Sequence, residues 1–285
     1  MSKPVIASIA YVNDILKHYE THAKKRFGQN FIVDANIITK IVNTSSVDEN
    51  TVVLEIGPGM GSLTQGLLKK AKHVIAIEID PLMVELCNKH FSDEPNFTLI
   101  HDDVLNVDLK ALFNDLGFSG DRLLVVANLP YYITTPIIFK LIESGIHFEE
   151  MQLMVQKEVA QRFNATVGTK DYNALSLIIQ NLFEVKIALD VSKYVFIPKP
   201  AVDSSVINLK RKDVDLNNLL DYFTFLKTAF TQRRKTLYNN LRETYDSLKI
   251  KEALEACHLS ESIRAEACTH AQLHQVFEIL HSQRN

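Results

Sequence analysis

The run Asn128-Leu129-Pro130-Tyr131-Tyr132 follows an apolar stretch and carries groups suited to one difficult reaction. Methylating an exocyclic amino group is hard because the nitrogen lone pair is delocalised into the ring. A catalyst must accept both amino hydrogens so that the nitrogen can pyramidalise toward the methyl group. The Asn128 side-chain oxygen and the Leu129 carbonyl are such acceptors. Pro130 stiffens the turn and brings no competing N–H, and the Tyr131 ring can stack on a base. No general base is required in advance, because the amino proton becomes acidic once the methyl has transferred. Such catalysis is positioning plus acceptor electrostatics.

A second constellation supplies a place for a donor. Glu55-Ile56-Gly57-Pro58-Gly59-Met60-Gly61 closes one β-branched run and opens a helix. Gly57 and Gly59 let the backbone turn tightly and approach a ligand without a Cβ in the way. Glu78 stands 21 residues after Gly57, at the end of the next run, where a carboxylate can accept from both hydroxyls of an adenosine ribose. A nicotinamide dinucleotide would use a similar layout. The Gly-x-Gly-x-Gly spacing, and the N–H lost at Pro58, tilt the reading toward ribose and adenine without phosphate, as in S-adenosylmethionine. Asp102-Asp103, after the third run, offers a carboxylate for the adenine amino group. Farther on, Phe196-Ile197-Pro198-Lys199-Pro200 fixes an extended loop. Phe196 either sandwiches a base against Tyr131 or plugs the core.

These residues need a frame. Strands are predicted over Thr51–Ile56, His73–Ile79, Phe97–His101, Arg122–Ala127, Met151–Gln156 and Asp203–Leu209. Helices are predicted over Ser62–Lys70, Pro81–His90, Pro136–Ser144 and Tyr172–Phe183. Alternating β and α units imply an α/β fold, a parallel sheet wound with helices on both sides. Lys210-Arg211-Lys212-Asp213 reads as a charged hinge. Beyond it Leu219, Phe223, Leu226, Phe230 and Leu237 keep helical spacing without β-rich runs. The expected division is an N-terminal, helical extension over 1–21, a donor-binding domain over 22–209 and a helical domain over 210–285.

The chain has 285 residues, of which 46% are hydrophobic and 23% charged, so a disordered or fibrous protein is excluded. Three cysteines without a C-x-x-C pair exclude a disulfide framework, and no metal site is expected. No apolar run is long enough for a membrane span. With no signal peptide expected, the compartment is the cytoplasm. A formal charge of −3 argues against a general polyanion binder, yet the charge is uneven. Residues 22–40 carry Lys24, Lys25, Arg26 and Lys40 against Asp34, a net of +3. Residues 210–242 carry a net of +5, with Arg233-Arg234-Lys235 expected on a helix. The two clusters suggest walls that hold RNA.

Together, Lys24–Phe31, Glu55–Gly61, Asn128–Tyr131, Gln156–Val159, Phe196–Val206 and Gln232–Thr236 resemble the ribosomal RNA adenine dimethyltransferases, nearest to the small-subunit, kasugamycin-sensitivity type. The resemblance runs from about His22 to the end. It implies a Rossmann-like class I methyltransferase domain with a small all-helical C-terminal domain. It also implies dimethylation at N6 of two adjacent adenosines in a hairpin loop near the 3′ end of small-subunit (16S) rRNA. Carried over by position, Asn30 and Ile32 flank the donor's methionine end and Gly57 lies in its loop. Glu78 holds the ribose, Asp103 the adenine, and Asn128 lies at the junction of donor and reacting base. Family members more often have Leu where Ile32 stands. The implied catalytic group is Asn128, Leu129, Pro130, Tyr131 and Phe196. The RNA-binding residues are Lys24, Lys25, Arg26, Arg233, Arg234 and Lys235. The expected partner is small-subunit rRNA in a partly assembled 30S subunit, met by a monomer. Three rivals stay open: a large-subunit (23S) enzyme of the macrolide-resistance type, an assembly-checkpoint factor with secondary methylation, and a small-molecule N-methyltransferase.

Overall fold

The computed structural model describes residues 4–20, 22–23, 27–214 and 218–282. Among them the strands are β1 (Phe31–Ile32), β2 (Thr51–Ile56), β3 (His73–Glu78), β4 (Phe97–His101), β5 (Arg122–Asn128), β6 (Phe148–Gln156), β7 (Phe183–Val191), β8 (Phe196–Ile197) and β9 (Ser204–Arg211). The helices before β7 are α1 (Ile9–His18), α2 (Ala35–Thr44), α3 (Ser62–Leu67), α4 (Pro81–Phe91), α5 (Leu109–Asp115), α6 (Thr134–Glu143), α7 (Lys157–Phe163) and α8 (Ala174–Leu182). After β9 come α9 (Leu219–Ala229), α10 (Leu237–Leu241), α11 (Ser247–Ala256) and α12 (His270–Ser282).

Seven strands form one sheet in the order β4-β3-β2-β5-β6-β9-β7. Pairings from β4 through β6 are parallel. β2 is buried at every residue, as a strand covered on both faces must be. The strand order reverses between β2 and β5, which opens a crevice beyond their carboxyl ends. The sheet is not parallel throughout: β9 runs against β6, from Ser204 opposite Gln156 to Lys210 opposite Glu150. An antiparallel return needs no crossover helix on the sheet face. The sequence reading also passes over β7. Its Phe183, Val185, Ile187, Leu189 and Val191 alternate with Glu184, Lys186, Ala188 and Asp190, a period of two that marks a strand. As the last strand of the sheet it carries charged residues, which discourage edge pairing.

The chain divides into two compact units. One comprises residues 1–160 and 186–211, the other 161–185 and 212–285. Residues 161–185, assigned above to the donor-binding domain, thus belong with the helical unit. Tyr172 donates to the Cys268 carbonyl at 3.1 Å and Gly168 N–H to that of Glu266 at 2.9 Å. Lys210 and Arg211 are not a hinge but the end of β9. In the first unit, α1 sets Val12 into an apolar cluster with Met60, Met83, Leu86 and Phe91. The helix is capped by Ser8, whose hydroxyl accepts from Tyr11 N–H. In the second unit, Phe277 packs against Tyr222 and Phe225, with ring centroids 5.1 and 5.7 Å apart. No helix of the described residues is long and apolar enough to cross a membrane.

Two sites in and after β2 carry testable costs. Gly61 precedes α3 at φ +89, and a Cβ there would overlap the buried Phe91 ring. Left-handed strain and overpacking together predict a loss of about 2–4 kcal/mol for Gly61→Ala, read as a lower urea midpoint. An unchanged midpoint would mean that Phe91 moves aside freely. Glu55 is fully buried and accepts from the Thr64 hydroxyl at 2.7 Å. Burial, the largest cause, pushes its carboxyl from the ordinary 4.5 up to about 8. The folded chain therefore holds a proton that the unfolded chain releases, and stability falls as pH rises from about 4.5 to about 8. Glu55→Gln removes that titration, so its thermal midpoint should decline less over this window than that of the native chain. Parallel curves would contradict the assignment.

Candidate active site

The carboxyl ends of β2, β3, β4 and β5 open into one cleft. The cleft gathers Asn30, Ile32, Gly57, Gly59, Glu78, Asp103, Asn128, Leu129, Pro130 and Tyr131 from segments far apart in sequence. Five elements therefore converge where the sheet order reverses.

Glu78, buried at the end of β3, accepts three backbone N–H groups. Gly59 N–H reaches Oε2 at 3.0 Å, and Ile79 and Asp80 N–H reach Oε1 at 2.9 and 2.8 Å. Burial raises its pKa, while these bonds oppose the rise. A carboxylate has about four acceptor positions, so one position on Oε2 remains for a ligand hydroxyl. Gly57 N–H donates to the Ile77 carbonyl at 2.9 Å, tying the loop to β3. Apart from its chain neighbours, no described residue comes within 4 Å of where a Gly57 Cβ would stand, so the space over this glycine is open. Asp103 is half-buried and accepts from Leu105 N–H at 2.9 Å, whereas Asp102 is exposed. Ile79 and Val104 supply apolar walls nearby. A cradle without a Cβ, an acidic group facing hydroxyls and an apolar slot beside a carboxylate fit the adenosine of S-adenosylmethionine.

Across the cleft, Asn128 ends β5. Its Nδ2 donates to the Asn30 carbonyl at 3.3 Å, and Asn30 Nδ2 donates to the Gly28 carbonyl at 3.0 Å. That bond fixes which end of the amide is which and leaves Oδ1 as an acceptor. The Pro130 carbonyl is taken by Ile133 N–H and by the Thr134 hydroxyl, both at 3.2 Å. No hydrogen bond among the described residues engages the Leu129 carbonyl, while its N–H is held by the Met154 carbonyl at 3.1 Å. Tyr131 is half-buried, with its phenol 2.6 Å from the Ser204 hydroxyl. Burial raises its pKa, so it stays neutral.

Phe196 does not join this group. It pairs with Ile32 in the β1–β8 ladder and is buried in a core cluster with Val191 and Val206. What reaches Tyr131 from this part of the chain is Ser204, the first residue of β9, to which no role is assigned above. Gln29, Ile79, Val104 and Tyr132 also line the cleft, and the sequence reading gives them no role. Gln29 donates to Asp80 at 2.7 Å, which joins the segment before β1 to the cap of α4. A glutamine beside Asn30 carries no periodic signal. Lys24, Lys25 and Arg26 lie outside the described residues. Arg233, Arg234 and Lys235 are in the second unit, in the turn between α9 and α10 and not on a helix. Asn240 ties that turn down by donating to the Ala229 and Gln232 carbonyls at 2.7 and 3.2 Å. Arg233 donates to the Lys170 carbonyl, and Lys235 lies 3.5 Å from Glu243. Cys257 and Cys268 are buried, and no group of three metal-binding side chains occurs among the described residues.

Comparison with known proteins agrees with this geometry. The family model for ribosomal RNA adenine dimethylase matches residues 20–282. The chain is 42% identical to ribosomal RNA small subunit methyltransferase A of Lactococcus lactis, over 92% of this chain and 91% of that one. It is 40% identical to the protein of the same name from Streptococcus pneumoniae, over 98% and 99%. Among solved structures, a dimethyladenosine transferase from Plasmodium falciparum aligns with a TM-score of 0.72 at 25% identity, covering 89% of this chain and 98% of that one. The 23S rRNA methyltransferase ErmE aligns at 0.64 with 26% identity, over 88% and 100%. A family match over nearly the whole chain places this protein in the ribosomal RNA adenine dimethylase family.

Proposed function

We propose that this chain transfers methyl groups from S-adenosylmethionine to N6 of two adjacent adenosines in a hairpin loop of small-subunit rRNA, giving N6,N6-dimethyladenosine during subunit maturation. The observation that carries this reading is Asn128. Its amide donates to the Asn30 carbonyl, which leaves Oδ1 as the acceptor, and Asn128 and Leu129 both line the cleft. The names of the 40–43% identical relatives support the small-subunit substrate over the large-subunit one.

When bound, S-adenosylmethionine supplies a sulfonium methyl to the nucleophilic nitrogen. Glu78 would hold the ribose, Asp103 the adenine, and Asn30 and Ile32 the methionine end. The Asn128 and Leu129 oxygens take the two amino hydrogens of the target base and turn its lone pair out of the ring plane. Tyr131 stacks on that base, its ring held by Ser204. Preformed acceptors cost no reorganisation at the moment of transfer. The target must leave its stack to enter the cleft, which is cheaper from a single-stranded loop than from a duplex. Lys24, Lys25, Arg26, Arg233, Arg234 and Lys235 would neutralise phosphates. The expected setting is a partly assembled 30S subunit in the cytoplasm, approached by a monomer.

Undermethylated small subunits, incubated with labelled S-adenosylmethionine and digested to nucleosides, should yield labelled dimethyladenosine. Label in large-subunit RNA, or in free metabolites, would overturn the reading. Asn128→Ala should lower turnover at saturating donor by about 10²–10³; unaltered turnover would remove the acceptor pair from the mechanism. Arg233→Ala with Arg234→Ala should weaken RNA binding and reduce the salt slope by about one for each phosphate no longer neutralised. An unchanged slope would place those phosphates elsewhere.

A further inference from the structure

The tyrosine after the reaction motif has no part in the mechanism above. Tyr131–Ile133 forms a single 3-10 turn, and three residues per turn set successive side chains about 120° apart. The two tyrosines therefore diverge. Tyr131 is held by Ser204, whereas Tyr132 lines the cleft with 57% of its surface exposed. Among the described residues, Ile79 and Tyr132 are the exposed large apolar side chains that line the cleft, and Tyr132 is the aromatic one.

The ring is supported where it stands. Gly28 has φ +61, and a Cβ on it would lie 3.1 Å from Tyr132 Cδ1, 3.2 Å from Cε1 and 3.3 Å from Pro130 Cβ. The ring thus rests along a bare stretch of backbone beside the stiff proline of the motif. Burial raises the phenol's pKa and the Asp103 carboxylate adds to the rise, so the ring is neutral. A neutral, partly covered ring that lines a site and packs against backbone is a stacking platform.

A base drawn into the cleft abandons its neighbour in the strand, and that neighbour is left with an uncovered face. Aromatic side chains cover such faces with little regard to base identity. We propose that Tyr132 stacks on the nucleobase adjacent to the target adenine, so that consecutive tyrosines grip consecutive nucleotides. The inference rests on the function proposed above and deepens it. Shifting the strand by one nucleotide would bring that neighbour to the target position, as modification of adjacent adenosines requires.

The test compares Tyr132→Ala with Tyr132→Phe and Tyr132→Trp, using undermethylated small subunits as substrate and separate titrations of S-adenosylmethionine. Loss of the ring should raise KM for the subunit about tenfold, while variants that keep a ring stay within about twofold. Donor affinity should be unchanged in all three. Three results would overturn the inference: an unaltered KM in Tyr132→Ala, equal damage in Ala and Phe, or weakened donor binding with KM for the subunit preserved. Failure of the underlying reading looks different, because then the native chain itself transfers no methyl to the subunit.

Discussion

A buried carboxylate at the end of β3 is the constraint on which the site depends. Glu78 sits in a place that disfavours charge, and it is made tolerable by three backbone N–H groups from two separate segments. One of them, from Gly59, belongs to the loop after β2. The same bond that satisfies the acid therefore holds the loop at the distance that leaves a donor cradle over Gly57. An unpaired buried donor or acceptor costs about 1–3 kcal/mol, so loop and carboxylate secure each other. Asp80, two residues on, extends the arrangement by capping α4 and receiving Gln29 from the segment before β1.

The reacting side is built from backbone groups in the same way. β5 delivers Asn128 beside the Asn30 carbonyl, and β6 holds Leu129 through the Met154 carbonyl. One acceptor proposed for the amino hydrogens is thus set by a carbonyl just before β1, the other by a main-chain bond to the parallel part of the sheet. The antiparallel strand β9 contributes Ser204, which restrains the Tyr131 ring. The Gly57–Met60 loop and Asn128 meet in one cleft because β2 and β5 are neighbours with parallel registers, Val52 opposite Leu123 and Leu54 opposite Val125.

Much of this is legible in the sequence where a residue's role follows from local chemistry. The Gly57–Gly61 loop, Glu78 and the Asn128–Tyr131 run each have a spacing whose cause is visible without a structure, and the structure brings them into one cleft. Phe196 misleads because an aromatic beside a proline loop satisfies two readings, and only the β1–β8 pairing decides that the ring faces the core. Ser204, Gln29 and Tyr132 are illegible for another reason. Their importance comes from tertiary neighbours 73, 51 and about 100 residues away, and no periodicity encodes such neighbours. The strand β7 differs again, since its alternation is present and simply stands beside a stronger helical pattern. Residues 161–185 fall in the other unit because Tyr172 and Gly168 find their partners near residue 267, far along the chain.

On this reading the Glu78 carboxylate both pins the loop and leaves one acceptor for the donor. Calorimetric titration of S-adenosylmethionine into Glu78→Gln, with the fold checked by circular dichroism, tests it most directly. Glutamine keeps the size but turns one oxygen into a donor, so at least one N–H loses its partner or the ligand hydroxyl loses its acceptor. The expected result is a folded protein whose donor affinity falls by roughly 5- to 150-fold. A folded variant that binds S-adenosylmethionine as tightly as the native chain would contradict it.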